Sequence, residues 1–181
     1  MNSQEIVTKE AKSKKDKLWD FFSTVEMLAV AAAAILLFFS FVARITVVDG
    51  GSMNNTLSHG DKLIVSDLFY TPKRGDIVIV QSPDVLNGQV IVKRVVAVAD
   101  DTVKIVKDKG VYINGTLLEE PYDKPNYDLP ETKIEDGMVF LLGDNRTNST
   151  DSHDFGQVDE RSIVGRVLFR FAPLSSLGFV S

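Results

Sequence analysis

A serine that follows two glycines is the first place in this chain where nucleophilic chemistry becomes legible. Ser52 lies in Val47-Val48-Asp49-Gly50-Gly51-Ser52-Met53-Asn54-Asn55-Thr56-Leu57, after a β-like segment carrying Ile45, Val47 and Val48. Glycine there permits a tight turn and the close approach of another chain. A hydroxyl is a poor nucleophile until a base takes its proton, so the chain must also supply that base. It has no cysteine and only two histidines, His59 and His153. That composition excludes disulfides, thiolate catalysis, cysteine-bound zinc and a histidine-rich metal cluster. His59 stands in the polar Ser58-His59-Gly60-Asp61 and reads as an exposed loop residue, whereas His153 is harder to dismiss. The stronger candidate is Lys93, inside the apolar run Val90 to Val98. Burial disfavours an ammonium, and a neutral amine can accept the serine proton. By periodicity alone, Lys93 and Arg94 fit equally well as outward-facing residues of a half-exposed strand.

The elements that must position these residues follow from hydropathy. Residues 1–20 are polar and carry Lys9, Lys12, Lys14, Lys15 and Lys17. Met27 to Ala43 is apolar but for Ser40, and Phe21, Phe22 and Val25 extend it past Glu26, so residues 21–43 read as a span; a spanning helix needs roughly 17–25 mostly apolar residues. A cleavable secretory signal competes with this reading, but its apolar core would be shorter and the triplet Phe41-Val42-Ala43 begins with a bulky residue. The uncleaved anchor is the favoured reading. Lysines precede the span and only Arg44 follows closely, so the amino end is expected in the cytoplasm and residues 44–181 outside.

Beyond the span the chain reads as β structure. Leu63–Val65, Ile77–Val80, Val90–Ala99, Val103–Val106, Val111–Ile113, Met138–Leu142 and Ile163–Phe171 are short and rich in Val and Ile. Asp108-Lys109-Gly110 and Asn114-Gly115 mark hairpin turns. Such spacing predicts a mainly β barrel or sandwich. Residues 119–137 are acidic, carry Pro121, Pro125 and Pro130, and read as a loop or small cap. The net charge of −5 argues against a nucleic-acid partner.

Taken together, the segments resemble a known family. Gly51-Ser52-Met53, Thr56-Leu57, Gly60-Asp61, Arg74-Gly75-Asp76-Ile77-Val78, Lys93-Arg94-Val95-Val96 and the long polar string Gly143 to Ser152 occur in the order seen in bacterial type I signal peptidases. The chain resembles their small, single-anchor, Gram-positive form from the anchor to near the carboxyl end. The resemblance implies a signal-peptidase-type β domain and a Ser-Lys dyad with neither metal nor cofactor, Ser52 as nucleophile and Lys93 as general base. It further implies that Ser149 orients the lysine, that Asp144 and Arg146 hold the site together as a pair, and that Asp151 is a structural carboxylate. The Ser52 backbone N–H would form half of the oxyanion hole. Met53 would pack by the substrate cleft, with a core role as its alternative, and Ile91 would line shallow pockets for small residues before the cut.

Four positions depart from the family pattern. Asn55 stands where proline is usual and is expected to loosen the turn after the nucleophile. Gly50 replaces a serine that supplies a second oxyanion donor in some relatives. Asp100 replaces a glycine before Asp101. His153 replaces a common arginine, and a histidine titrates near neutrality, so a weaker, pH-sensitive contact is expected there.

The implied reaction is removal of amino-terminal signal peptides after small-x-small motifs such as Ala-x-Ala, through an acyl-enzyme on Ser52. The expected partners are exported preproteins, bound as an added strand, and the lipid bilayer, for which the apolar tail Leu168, Phe169, Phe171, Leu174, Leu177 and Phe179 offers a contact surface, with a closing core strand as the alternative for the first three. Oligomeric state is not legible. A self-cleaving repressor-type Ser-Lys peptidase is disfavoured by the anchor and the Gly143 to Ser152 string. A Ser-His signal peptidase is disfavoured by Lys93 at the base position. An anchored but catalytically silent β domain that binds exported peptides is the alternative from another class.

Overall fold

The computed structural model describes residues 3–41 and 43–180, with side chains given for 17–39 and 43–180. It divides into an amino-terminal helix and a β domain, each compact by itself. Helix α1 spans Ser3–Phe41. Its apolar part is built from Ala, Leu and other side chains that lose little freedom in a helix. Lys17–Phe39, 23 residues, is long and apolar enough to cross a membrane, at about 35 Å for a rise of about 1.5 Å per residue. Leu28, Val30, Ile35, Leu36 and Phe38 all stand exposed. The helix extends back through the lysine-rich stretch read from sequence as a tail, and it ends before Ala43. The side chains of Lys9, Lys12, Lys14 and Lys15, and all of Val42, lie outside the described residues.

The second unit is mainly β, as its Val- and Ile-rich runs predict. Its strands are β1 (Arg44–Val47), β2 (Lys62–Ser66), β3 (Ile77–Val80), β4 (Ile91–Val98), β5 (Thr102–Val106) and β6 (Gly110–Ile113), then β7 (Thr116–Leu117), β8 (Leu129–Lys133), β9 (Met138–Leu142), β10 (Val158–Asp159), β11 (Ile163–Ala172) and β12 (Gly178–Phe179). A one-turn helix, α2 (Ser152–Phe155), precedes β10. The larger sheet runs β1-β2-β11-β3-β4-β9-β10, with β12 beside β11, and the smaller one runs β7-β6-β5-β8. Asp108 and Asn114 adopt positive φ of 58° and 52° at the two hairpin turns marked in the sequence. The segment 119–137 is not wholly a loop: β8 lies within it and pairs with β5, closing the small sheet.

Strand β4 sits between β3 and β9 and is buried on both faces from Lys93 to Ala97. Val96, Ala97, Phe140 and Leu142 pack against β5 and β6 through Val103, Ile105 and Val111. Val95, Val78, Val80 and Leu141 form a second cluster, and Met53, Leu57, Leu63, Val65 and Val167 a third. Buried carboxylates tie the strand ends together: Asp76 meets Arg166 at 3.0 Å and Asp61 meets Arg170 at 2.9 Å, while Asp101 accepts both Arg74 Nε and Nη2. The carboxyl-terminal apolar residues divide. Phe169 packs edge-on against Phe179 at 5.2 Å between centroids, whereas Leu174, Leu177 and Phe179 remain largely exposed.

The crossing of β11 over β2 depends on Gly165. A Cβ built there would lie 2.8 Å from Val65 Cγ1 and 2.9 Å from the Ser66 backbone, and backbone cannot step aside as a flexible side chain can. Gly165→Ala is expected to lower stability by about 1–3 kcal/mol, read as a lower denaturation midpoint with an unchanged m-value.

Candidate active site

Successive residues of a strand point to opposite faces, and β4 uses this at Lys93 and Arg94. Both are buried, at 2% and 7% exposure, so the outward-facing reading of these two residues does not hold. On one face Lys93 Nζ donates to Ser149 Oγ at 3.0 Å. Burial lowers the Lys93 pKa below its ordinary value, against an opposing pull from Asp151, Asp144 and Asp154. Lys93 and Ser149 line a cavity of about 480 Å³ together with Gly51, Ser52, Ile91 and Asn148. A second cavity, bounded by Thr46, Val47, Asp49, Gln89, Val90 and Val92, shares Ser52 and Ile91 with the first.

On the other face Arg94 donates Nε and Nη2 to the two oxygens of Asp144, both at 2.8 Å, and Nη1 to the Gly75 carbonyl at 2.7 Å. Asp144, fully buried, also accepts Thr56 Oγ1 at 2.5 Å. Asp144 and Arg146 thus take separate partners. Arg146 turns instead to Glu120, 2.5 Å away, and lies over the Tyr122 ring at 5.2 Å, with Arg94 at 5.6 Å from the same ring. Residues of the acidic, proline-bearing segment thus clasp the arginines behind the site, a role that its composition did not reveal. Burial raises the Glu120 pKa, and Arg146 partly opposes the shift.

The polar string after β9 delivers the remaining groups. Asp151 caps α2, accepts the Gly143 N–H at 3.0 Å, and meets His153 Nδ1 at 2.7 Å. His153 also lies 3.2 Å from Asp154 through Nε2 and stacks on Tyr127 at 3.8 Å. Three partners hold this ring. Gly143 is required by close packing: a Cβ there would lie 2.4 Å from the Ser52 carbonyl oxygen and would also meet Ser149 Oγ.

Met53 takes the core alternative. It is 1% exposed among Val48, Leu57 and Leu63 and anchors the turn after Ser52 from beneath. Asp100 keeps the glycine-like turn at φ +69°, and Asp101 N donates back to the Val98 carbonyl at 3.1 Å. Gly50 N–H is directed to His59 Nδ1 at 3.3 Å. Sequence reasoning gave no role to Arg94 or Asn145. Arg94 pairs with a residue fifty positions away. Asn145 donates its side-chain amide to the Gly51 carbonyl at 3.1 Å and its backbone N–H to the Ser52 carbonyl at 3.0 Å.

A sequence profile described as signal peptidase, peptidase S26, matches residues 21–172. The chain is 39% identical over 172 residues to a probable signal peptidase I-1 of Synechocystis sp., covering 88% of this chain and 87% of that one. It is 33% identical over 187 residues to a signal peptidase I of Bacillus caldolyticus, covering 93% and 97% respectively. A crystal structure of a signal peptidase I from Enterococcus faecalis is 34% identical, with a TM-score of 0.46 over 54% of this chain and 97% of that chain.

The turn after Ser52 is not loosened by Asn55. Asn54 N bonds to the Gly51 carbonyl at 3.1 Å and Leu57 N to the Met53 carbonyl at 2.8 Å, while Asn55 takes φ +88°. Proline, fixed near −65°, cannot adopt that angle. Asn55→Pro is therefore expected to destabilise the protein by at least about 1 kcal/mol and to lower activity, whereas Asn55→Gly keeps both. Thermal melts and initial rates on the two variants check this.

Proposed function

The chain belongs to the signal peptidase family, peptidase S26, and from that premise we propose that Ser52 and Lys93 are the dyad with which it cuts signal peptides from preproteins. Its class is signal peptidase I, a serine endopeptidase; the silent-domain alternative has no support. The observation that carries the dyad is the buried Lys93 amine, held by Ser149 in a cavity it shares with Ser52. Burial raises the neutral fraction of a lysine, and a neutral amine can accept a proton.

In this reading Ser52 Oγ attacks the carbonyl of the last residue of the small-x-small motif as its proton passes to Lys93 Nζ. The C–N bond then breaks, the leaving nitrogen takes that proton from the ammonium, and the signal peptide remains as an ester on Ser52. Water, deprotonated by the same amine, adds to the ester carbonyl, and collapse returns the proton to Ser52 Oγ. Ser149 orients the amine throughout. Asp144, Arg146 and Asp151 act through the scaffold: Asp144 fixes Arg94 behind β4, Arg146 holds Glu120, and Asp151 holds Gly143 and His153. The preprotein lies extended along the cavity between Thr46–Val47 and Gln89–Val92, with Ile91 in contact with its small side chains. Met53 contributes by supporting the turn. The Lys17–Phe39 segment anchors the chain in the cell membrane with its amino end cytoplasmic, and the exposed Leu174, Leu177 and Phe179 favour contact with lipid.

The decisive experiment is cleavage of a purified exported precursor by the full chain in detergent or vesicles. Ser52→Ala is expected to release no mature product, and Lys93→Ala to lose at least about 10²–10³-fold in rate. If both variants cut as the parent does, the dyad assignment fails. Because burial lowers the Lys93 pKa and the neutral amine is the base, kcat/KM should rise with pH through an apparent pKa below 10.5. The same shift sets the sign of a stability effect. Between the folded and unfolded pKa values of Lys93 the unfolded chain binds the extra proton, so stability rises with pH across that window. Lys93→Met, inactive, is expected to melt higher than the parent at neutral pH, with the gap closing as pH approaches the unfolded lysine value of about 10.4. Melting curves at pH 7 and pH 10 test it.

A further inference from the structure

We infer that Asn145 is the positioning residue that aims the oxyanion-hole donor of Ser52. The inference rests on the dyad reading and adds what stabilises its tetrahedral intermediate. A peptide unit is planar and its C=O and N–H point in opposite directions. The Gly51 carbonyl and the Ser52 N–H belong to one such unit, so fixing the carbonyl fixes the direction of the N–H. Two donors hold that carbonyl, Asn54 N at 3.1 Å and Asn145 Nδ2 at 3.1 Å. The next peptide is held as well, because Asn145 N donates to the Ser52 carbonyl at 3.0 Å. One residue therefore grips both peptide units that flank the nucleophile. Among the described residues the Ser52 N–H has no hydrogen-bond acceptor, which leaves it for a developing oxyanion.

Two features make this grip matter more here. Gly50 brings no hydroxyl to the site, and its N–H is turned to His59 Nδ1 at 3.3 Å. The Ser52 N–H then carries more of the oxyanion stabilisation, and its aim cannot be compensated by those groups. Donation into the Gly51 carbonyl also polarises the peptide, which strengthens its N–H as a donor. Asn145 reaches this position because Gly143 lets the polar loop pass directly beside Ser52; a Cβ at Gly143 would lie 2.4 Å from the Ser52 carbonyl oxygen.

The test uses Asn145→Ala and the isosteric Asn145→Asp in the full chain, with two ligands of one sequence ending in alanine: a peptide aldehyde and the matching peptide alcohol. Ser52 Oγ adds to the aldehyde carbon, its proton passes by way of Lys93 to the former carbonyl oxygen, and that oxygen occupies the hole. The alcohol binds without addition. Losing an oxyanion donor costs about 10²–10³ in kcat, so misaiming one is expected to cost Asn145→Ala about tenfold. Asn145→Asp, which sets a carboxylate against a carbonyl, should lose about 100-fold. KM and alcohol affinity stay within twofold while aldehyde affinity falls in step with kcat. A kcat for Asn145→Asp within twofold of the parent overturns the inference, as does a parallel fall of aldehyde and alcohol affinities, which marks general disruption. Failure of the parent to cleave any precursor would bring down the dyad reading, and this inference with it.

Discussion

The burial of one amine governs the design of this molecule. Lys93 interrupts a strand whose neighbours are Val and Ile, and the sheet pays for it: an ammonium loses its hydration there, so the neutral form gains ground. The position of β4 makes that possible. A strand at an edge, or one with a solvated face, would leave the amine in water with its ordinary basicity. Flanked by β3 and β9 and covered on both faces, β4 leaves Lys93 only 2% exposed. The fold thus favours the neutral amine before any ligand arrives, and the proposed dyad needs only that Ser52 be brought to the same cavity.

Bringing it there is the work of backbone rather than of side-chain charge. The turn after Ser52 closes on its own hydrogen bonds and is seated by the buried Met53. The loop after β9 fits against it only because Gly143 has no side chain, and this brings Ser149 to the amine and Asn145 to the peptides around Ser52. Positive φ at Asn55 and Asp100 shows the same economy, since Asn and Asp tolerate the left-handed region better than other residues with side chains.

Much of this was legible in the residues, and the reasons for the rest are physical. Strands β3, β4 and β9 announce themselves by Val and Ile, and the hairpin turns by Asp108 and Asn114-Gly115. Strand β8 does not, because Leu-Pro-Glu-Thr-Lys has little apolar content and is specified by its pairing with β5. Ser52 and Lys93 are legible by type and setting, and Ser149 only through the family resemblance. Arg94 is not, because its partner is remote in sequence and its neighbourhood looks like any alternating strand. The roles of Asp144 and Arg146 come only through the family resemblance, and their partners, Arg94 and Glu120, lie far away in sequence. Met53 could not be assigned from pattern, since a cleft and a core both favour an apolar side chain.

The proposed role of Lys93 requires that nearby carboxylates not restore its proton. Asp144, Asp151 and Asp154 all pull the Lys93 pKa upward, and each is engaged elsewhere. Asp144 is held by both nitrogens of the Arg94 fork and by Thr56. Asp151 is turned to the Gly143 N–H and the His153 ring, and Asp154 to the Asp151 N–H and the other side of that ring. The group that touches the amine is the neutral hydroxyl of Ser149, which orients it without the full charge that would stabilise an ammonium. A carboxylate at that place would form a stronger hydrogen bond and a poorer base. For the proposed dyad, these three carboxylates therefore serve by being occupied with other partners rather than with the amine.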